Sequence, residues 1–239
     1  MYSDVAIIIP ARIGSTRLPG KMLMPIGDCS LIEHTYKRAM ESSVGDIYVA
    51  TDSEEIASVI TKLGGKYIMT REDCPSGSDR VYEALRAMEH KDRIKYVVNI
   101  QGDMPFLDPN IIKQVIQKLK TNNFDIVTPL AKVGLDVASS FSNVKAVVDN
   151  NDRALYFSRE AIPHNAKEFW YHVGIYGFMI ESLQKFVELP VSYLEETEKL
   201  EQLRAIENGM SVGACYTQSI PLSVDTQEDL KKARSFIRR

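Results

Sequence analysis

The chain has 239 residues, of which 44% are hydrophobic and 26% charged, and its formal net charge is -3. This balance is typical of a globular protein with a sizeable core. The slight acidity, and the lack of a basic run with interleaved aromatic residues, argue against nucleic acid as a partner. Three scattered cysteines without a CxxC pair disfavour a disulfide framework and a structural zinc site, which indicates a reducing compartment. No apolar run approaches the roughly 18 residues of a transmembrane helix, so we expect a cytoplasmic protein without a membrane span.

Strands and helices alternate over the first half of the chain. A continuous apolar run at 5–9 predicts a strand that is buried on both faces. Ser30 and Glu33 have the spacing of a capping box, and apolar residues then recur at helical intervals. Asp52 likewise predicts the start of a second helix, and Gly64 its end. Further strands are predicted at 46–51, 66–70 and 96–101, and further helices near 81–88 and from Pro109 onward behind an Asp108 cap.

The pattern changes after about residue 124. Little helix is predicted between successive strand-like segments at 125–133, 144–149, 154–159 and 172–180. Helices are predicted to return at 197–208, ended by Gly209, and at 226–239. This order predicts an α/β fold with a Rossmann-like, mostly parallel sheet flanked by helices. It also predicts a single domain, 1–239, with an antiparallel excursion at about 125–195.

The loop after the first strand carries three cations and no acid. Arg12, Arg17 and Lys21 lie on it, and Gly14 and Gly20 expose backbone amides, which predicts a cradle for a polyphosphate. The spacing matches neither the Walker pattern nor GxGxxG, so a dinucleotide fold is disfavoured. A loop of merely solvated cations is the alternative. It is disfavoured because the two prolines of this stretch stiffen the backbone.

Two acids from distant parts of the chain are candidate metal ligands. Asp103 follows the strand at 96–101, and Asp225 precedes the last helix, whose cap Thr226 and Asp229 already supply. Ligands of parallel sheets bind outside the carboxyl ends of the strands, where carboxylates can hold Mg²⁺. Taken alone, Asp103 could equally be a turn aspartate. Together with the cationic loop, the two acids predict metal-assisted phosphoryl or nucleotidyl transfer.

The stretch CPSGSDR at 74–80 is a further candidate. Ser76 and Gly77 would allow a base or a ribose to approach the backbone closely, and Arg80 could reach a phosphate or a carboxylate. A turn that leads into a capped helix explains the two serines of this stretch equally well.

A second pocket is suggested by the excursion. Arg159, His172 and Tyr176 could line a pocket that is selective for an acidic polyol. A lone histidine near an apolar strand is more often structural, and Glu201 beside an apolar helical stripe is ambiguous. The residues alone therefore do not decide whether this second pocket exists.

Seven stretches occur in an order that resembles the 3-deoxy-manno-octulosonate cytidylyltransferases, also called CMP-Kdo synthetases. They are IPARIGSTRLPGK, SGSDR, VNIQGDMP, ALYFSR, HVGIYGF, LEQLRAIENG and VDTQEDL, which together span nearly the whole chain. The resemblance implies a glycosyltransferase-A-like sheet, Mg²⁺ as cofactor and a homodimer formed largely through the excursion. It also implies a reaction that joins CTP to Kdo, giving CMP-Kdo and pyrophosphate for lipopolysaccharide assembly.

The resemblance also implies roles for individual residues. Catalytic roles fall to Arg12, Lys21, Asp103 and Asp225, of which the two aspartates would hold the metal. The nucleotide would be bound by Arg12, Ser15, Arg17, Lys21, Ser76, Gly77 and Arg80. The sugar acid would be bound by Gln101, Arg159, His172, Tyr176 and Glu201.

Two alternatives stay open. The chain could be a cytidylyltransferase for another sugar acid, such as sialic acid or 8-amino-Kdo. It could also be a catalytically silent nucleotide-binding module. Retention of both acids and all three loop cations argues against a silent module.

Overall fold

The structure, a computed structural model, describes residues 4–237. Contacts divide these residues into two compact units. The first unit contains the described residues up to Lys113 and from Pro221 onward, and the second unit is Gln114–Ile220. The single domain with an excursion at about 125–195 stays a prediction.

The strands are β1 Val5–Ala11, β2 Pro25–Ile26, β3 Cys29–Ser30, β4 Asp46–Thr51, β5 Lys66–Met69, β6 Tyr96–Ile100, β7 Ile126–Val133, β8 Lys145–Val148, β9 Ala154–Ser158, β10 Phe169–His172, β11 Ile175–Met179 and β12 Val212–Thr217. The α-helices are α1 Leu31–Glu41, α2 Glu54–Lys62, α3 Gly77–Ala87, α4 Pro109–Thr121, α5 Leu135–Ala138, α6 Ile180–Glu188, α7 Tyr193–Glu198, α8 Gln202–Glu207 and α9 Gln227–Ile237. Within residues 4–237, none of these helices combines the length and the apolar character needed to cross a membrane.

The first unit contains a parallel sheet in the order β5-β4-β1-β6. β1 is buried along its whole length, as expected for a continuous apolar run that is covered on both faces. Because the strands are parallel, their carboxyl ends meet at one edge of the sheet. The segments that follow β1, β4, β5 and β6 therefore lie near one another, and they carry the polar residues of interest.

Most helix ends of the first unit follow the local sequence. Glu33 Oε2 accepts hydrogen bonds from Ser30 N at 2.7 Å and Ser30 Oγ at 2.8 Å, which confirms the capping box. Gly64 follows α2 with φ of 71°, a conformation that glycine adopts at little cost. The prediction that Asp52 caps α2 is wrong, because Ser53 is the N-cap and its Oγ accepts a backbone N–H from the first turn.

Two further caps are confirmed. Asp108 Oδ1 accepts a hydrogen bond from Asn110 N at 3.0 Å at the start of α4. At the start of α9, Thr226 N donates to Asp229 Oδ2 at 2.9 Å and Asp229 N donates to Thr226 Oγ1 at 3.2 Å. The carboxylate of Asp225 is therefore free for tertiary contacts, as the sequence suggested. The last two residues of the predicted helix lie outside the described residues.

In the second unit the predicted antiparallel strands are confirmed. β7 pairs antiparallel with β10 and β11 and parallel with β12, while β8 pairs antiparallel with β9 and β10. The single strand predicted at 172–180 is wrong in detail. His172 lies opposite Leu130 and Gly177 opposite Val127, so the pairing breaks between β10 and β11.

The helix predicted at 197–208 is two helices, α7 and α8, with Lys199 between them at φ of 56°. A tertiary contact stabilises the break. The Arg159 guanidinium donates to the carbonyl oxygens of Glu198 at 2.8 Å and of Lys199 at 3.3 Å, so these carbonyls bond outside any helix. Strand β12 and helix α6 were not predicted.

Candidate active site

A cleft of about 270 Å³ lies at the carboxyl ends of the parallel strands of the first unit. The structure brings together there every residue that was predicted to bind the nucleotide or the metal, together with Gln101. The cleft is lined by Pro10, Arg12, Ser15, Thr16, Arg17, Lys21, Met22, Cys74, Pro75, Ser76, Gly77, Arg80, Gln101, Gly102, Asp103 and Asp225.

Lys21 is the centre of the polar contacts in this cleft. Its Nζ donates to Asp103 Oδ2 at 2.7 Å, to Asp225 Oδ1 at 2.9 Å and to the Val224 carbonyl at 3.0 Å. The two acids therefore converge on one cationic atom, although they are far apart in the chain. An ammonium group has three N–H donors, and three acceptors surround this one. The exposed Arg17 also pairs with Asp225 Oδ1, at 3.0 Å.

Lys21 stays charged in this environment. Burial by itself lowers the pKa of Lys21, but the charges and hydrogen bonds of Asp103 and Asp225 outweigh it, so the pKa lies above its usual value. A buried lysine without such partners would tend to lose its proton. The two carboxylates thus keep a positive charge in the cleft.

The two acids also fit a divalent metal ion. Mg²⁺ prefers hard oxygen ligands, and proteins usually hold it with one or two carboxylates plus water and substrate phosphates. Asp103 and Asp225 each place an oxygen within 3.0 Å of the same cation, which here is the Lys21 ammonium. Within residues 4–237, no group of three or more His, Cys, Asp or Glu side chains could hold a metal by itself. Water and substrate oxygens would complete the coordination.

Arg80 lines the cleft, but its guanidinium bonds to the protein. It donates to Thr70 Oγ1 at 2.6 Å, to Asp52 Oδ2 at 3.2 Å and to the Glu72 carbonyl at 3.3 Å. The side chains of Arg80 and Asp52 are only 3% and 4% exposed. Sequence reasoning missed the contact of Asp52 with this cleft residue, although a signal was present. Asp52 directly follows β4, as Asp103 closely follows β6.

The second unit contains a buried polar cluster around His172. Thr128 Oγ1 lies 2.8 Å from His172 Nε2 and donates to the carbonyl of Ile175, also at 2.8 Å. We therefore assign the proton to Nε2, which donates to the Thr128 oxygen. Tyr176 packs against the His172 ring and donates through its hydroxyl to Gln202 Oε1 at 3.0 Å.

The groups of this cluster are neutral. Burial lowers the pKa of His172 to about 3, so the imidazole carries no charge at neutral pH. Burial and the nearby charge of Glu201 raise the pKa of Tyr176 well above its usual value. Sequence reasoning missed Gln202, whose Nε2 has no hydrogen-bond partner among residues 4–237.

Arg159 follows β9 and contacts the segment between α7 and α8. Besides the two carbonyls of that segment, its guanidinium donates to the Phe141 carbonyl at 3.1 Å. The Glu198 carboxylate accepts from Arg159 N at 3.0 Å and from Ser158 Oγ at 2.8 Å. The structure thus joins His172 and Tyr176 in one cluster and holds Arg159 by a separate set of contacts.

Comparison with known proteins gives a consistent result. Residues 6–212 match the profile of a family described as cytidylyltransferase. The chain is 52% identical over 235 residues to a Rickettsia conorii protein named 3-deoxy-manno-octulosonate cytidylyltransferase, covering 98% of this chain and 96% of that protein. A Rickettsia rickettsii protein of the same name is 53% identical over 232 residues, with 97% and 96% covered.

A solved structure extends this similarity to the fold. CMP:2-keto-3-deoxy-manno-octonic acid synthetase, complexed with CTP, is 35% identical and superposes with a TM-score of 0.93, covering 99% of both chains. The predicted α/β nucleotidyltransferase fold is thereby confirmed.

Proposed function

The chain belongs to the 3-deoxy-manno-octulosonate cytidylyltransferase family, and we propose that it transfers CMP from CTP to 3-deoxy-D-manno-octulosonate (Kdo), releasing pyrophosphate. The observation that carries the proposal is the cleft in which Asp103 and Asp225 converge on Lys21 beside a cationic loop. Relatives named for this activity, similar over nearly their whole length, support it.

The cationic loop would bind the triphosphate. Arg12 and Arg17 are exposed and line the cleft, and the planar guanidinium group matches two phosphate oxygens at once. Lys21 would have to exchange one of its present acceptors for a phosphate oxygen. These cations would also stabilise the negative charge that accumulates on the departing pyrophosphate.

Asp103 and Asp225 would hold Mg²⁺ together with oxygens of the nucleotide. When bound, the ion would neutralise phosphate charge and lower the pKa of a nearby hydroxyl group. The two carboxylates must be oriented by other residues of the chain. Lys21 orients them here, because it bonds to both.

The second unit would bind the sugar acid. Arg159 offers a cation for its carboxylate, while the neutral groups of His172, Tyr176 and Gln202 offer hydrogen bonds to hydroxyl groups. Such a set of buried polar groups would discriminate strongly, because a substrate that lacks the matching hydroxyl leaves them unpaired. Glu201 completes the proposed sugar-acid residues of the second unit, and Gln101, which the family resemblance also assigns to the sugar acid, lines the cleft of the first unit.

In the proposed reaction the anomeric hydroxyl of Kdo attacks the α-phosphorus of CTP in line. A bond forms between that oxygen and the α-phosphorus, the bond from the α-phosphorus to the oxygen that links it to the β-phosphorus breaks, and that oxygen leaves with pyrophosphate while the hydroxyl proton is released to solvent. No side chain of the chain is assigned as a general base. Positioning and electrostatic stabilisation would supply the rate enhancement.

A pyrophosphate-release assay tests this function. CTP should be combined with Kdo, with sialic acid and with 8-amino-Kdo, each with Mg²⁺ and with a chelator. We expect release with Kdo that the chelator abolishes. Faster release with another sugar acid would replace Kdo by that substrate, whereas nucleotide binding without any release would favour a silent binding module.

We further propose that the protein is a cytoplasmic homodimer and that its product enters lipopolysaccharide assembly. The support is the family resemblance of the motifs, together with cysteine usage that suits a reducing compartment. Light scattering of the purified chain in solution tests the dimer, since a monomer mass at micromolar concentration would contradict it.

A further inference from the structure

We infer that the buried Asp52–Arg80 pair is a positioning device for the nucleotide cleft, and that Arg80 acts through Asp52 without itself binding phosphate. The inference rests on the proposed function and deepens it for the same site. It assigns a role to Asp52, which precedes α2 without capping it.

The pair ties together two segments that line the cleft. Asp52 Oδ1 accepts a hydrogen bond from Ile13 N at 3.0 Å, directly after Arg12 in the cationic loop. Arg80 holds the other segment through Thr70 and the Glu72 carbonyl, ahead of the turn that contains Ser76. The ion pair of 3.2 Å between Asp52 and Arg80 therefore connects both segments.

Ile13 is the residue at which the cationic loop closes. Its carbonyl oxygen accepts the backbone N–H of Ser15 at 3.0 Å and that of Gly20 at 3.3 Å. Its own N–H is held by Asp52. A shift of Asp52 would therefore displace Ile13 and the loop that is hydrogen-bonded to it. Arg12, Arg17 and Lys21 lie on this loop and would move with it.

Burial explains why Arg80 stays with Asp52. With side chains that are 3% and 4% exposed, neither charge can be solvated by water if its partner leaves. Removing one member of a buried pair leaves an uncompensated charge, which is strongly unfavourable. If Arg80 turned towards a phosphate, the Asp52 carboxylate would be left buried without a compensating charge.

The test measures CTP binding by calorimetry and amide exchange of the loop at 12–20. The variants are Asp52→Asn, Arg80→Met and the double variant. We expect each single variant to weaken CTP binding about tenfold and to speed amide exchange in the loop, as is typical when a residue that orients a site is lost. Because both act through one pair, the double variant should bind about as weakly as either single variant.

Two results would overturn the inference. If Arg80 contacted the nucleotide directly, Asp52→Asn would free the Arg80 guanidinium, so CTP binding would be unchanged or tighter. Arg80→Met would then still weaken CTP binding. Losses in the double variant that equal the product of the single losses would show that the two residues act independently.

A matched control breaks another buried arginine pair. Glu195 accepts from Arg204 at 2.7 Å in the second unit, with side chains 12% and 6% exposed. Glu195→Gln should lower the melting temperature without changing the affinity for CTP. An equal loss of CTP binding in this control would show a general effect of lost stability and would overturn the inference.

A milder variant covers the case in which the charge variants fail to fold. Thr70→Val removes only one hydroxyl acceptor of Arg80, and we expect about threefold weaker CTP binding with faster exchange near Ile13. Unchanged affinity and exchange would contradict the inference. If the wild-type protein binds CTP and the variants behave as expected, but no pyrophosphate is released with Kdo, only the proposed function fails.

Discussion

In the cleft of the first unit the buried Lys21 stays charged, whereas the buried His172 and Tyr176 of the second unit stay neutral. Asp103 and Asp225 raise the pKa of Lys21, while burial alone lowers that of His172 to about 3. The difference follows from partners, because both residues are buried but only Lys21 has carboxylates beside it. Fixed charge suits phosphate groups, and neutral donors and acceptors suit the hydroxyl groups of a sugar.

The largest effect that would sharpen this contrast is expected from Asp103→Asn. The change removes one of two negative charges that converge in the cleft, and we expect kcat to fall at least about a hundredfold, as when a single transition-state contact is lost. Pyrophosphate release in the presence of Mg²⁺ measures it. Turnover near the wild-type value would remove Asp103 from the proposed metal site.

A matched control for that variant is Asp46→Asn. Asp46 also pairs with a lysine of the first unit, Lys66, but at the surface and outside the cleft. Because exposed pairs contribute little, kcat should stay within about twofold of the wild type.

The neutral state of His172 should appear as a pH dependence of stability. In the unfolded chain a histidine takes up a proton near pH 6.5, whereas folded His172 does so only near pH 3. The unfolded state therefore binds more protons in that window, and the free energy of unfolding should fall as the pH drops, with a slope that approaches about 1.4 kcal/mol per pH unit well below pH 6.5. Urea unfolding of the wild type and of His172→Gln from pH 6.5 to 4.5 measures it.

Since other groups also titrate in that range, the contribution of His172 is the difference between the pH slopes of the wild type and His172→Gln. His172→Gln should remove that much of the slope, whereas the exposed His164→Gln should leave it intact. Equal slopes in all three proteins would mean that His172 is accessible to protons in the folded state.

Lys21→Met should have a smaller effect, on the melting temperature, that reports the repulsion between the two acids of the cleft. Without the ammonium, Asp103 and Asp225 repel each other, so the melting temperature should fall in the absence of metal. Mg²⁺ should then stabilise Lys21→Met more than the wild type, by about 3 °C. Thermal unfolding with and without Mg²⁺ measures this, with the exposed Lys37→Met as control; equal stabilisation of all proteins would contradict metal binding by the two acids.

The smallest expected effect is that of pH on the KM for Kdo, which should stay nearly constant. His172 and Tyr176 do not change charge around neutral pH, so the KM for Kdo should vary less than about twofold between pH 6 and 8.5. Initial rates at saturating CTP measure it. A sigmoidal change centred near pH 6.5 would indicate that a histidine in contact with the sugar acid titrates.

Local signals predicted much of the fold but failed where tertiary contacts intervene. The capping box of Ser30 and Glu33 was predictable because both partners lie within one helical turn. The break at Lys199 was not, because the Arg159 side chain that stabilises it lies 40 residues away in the chain. Asp52 was misassigned for the same reason, since its partners Ile13 and Arg80 are distant in the chain.

The sequence by itself determined the α/β order and the set of side chains that follow the strands, since hydrophobic periodicity and turn residues act over a few positions. It therefore sufficed to predict that Arg12, Arg17, Lys21, Asp103 and Asp225 lie at one edge of the sheet, where they line one cleft. Only the tertiary structure decided how they are paired. Lys21 meets Asp103 across 82 residues and Asp225 across 204, and such contacts depend on how strands pack, which no local pattern encodes.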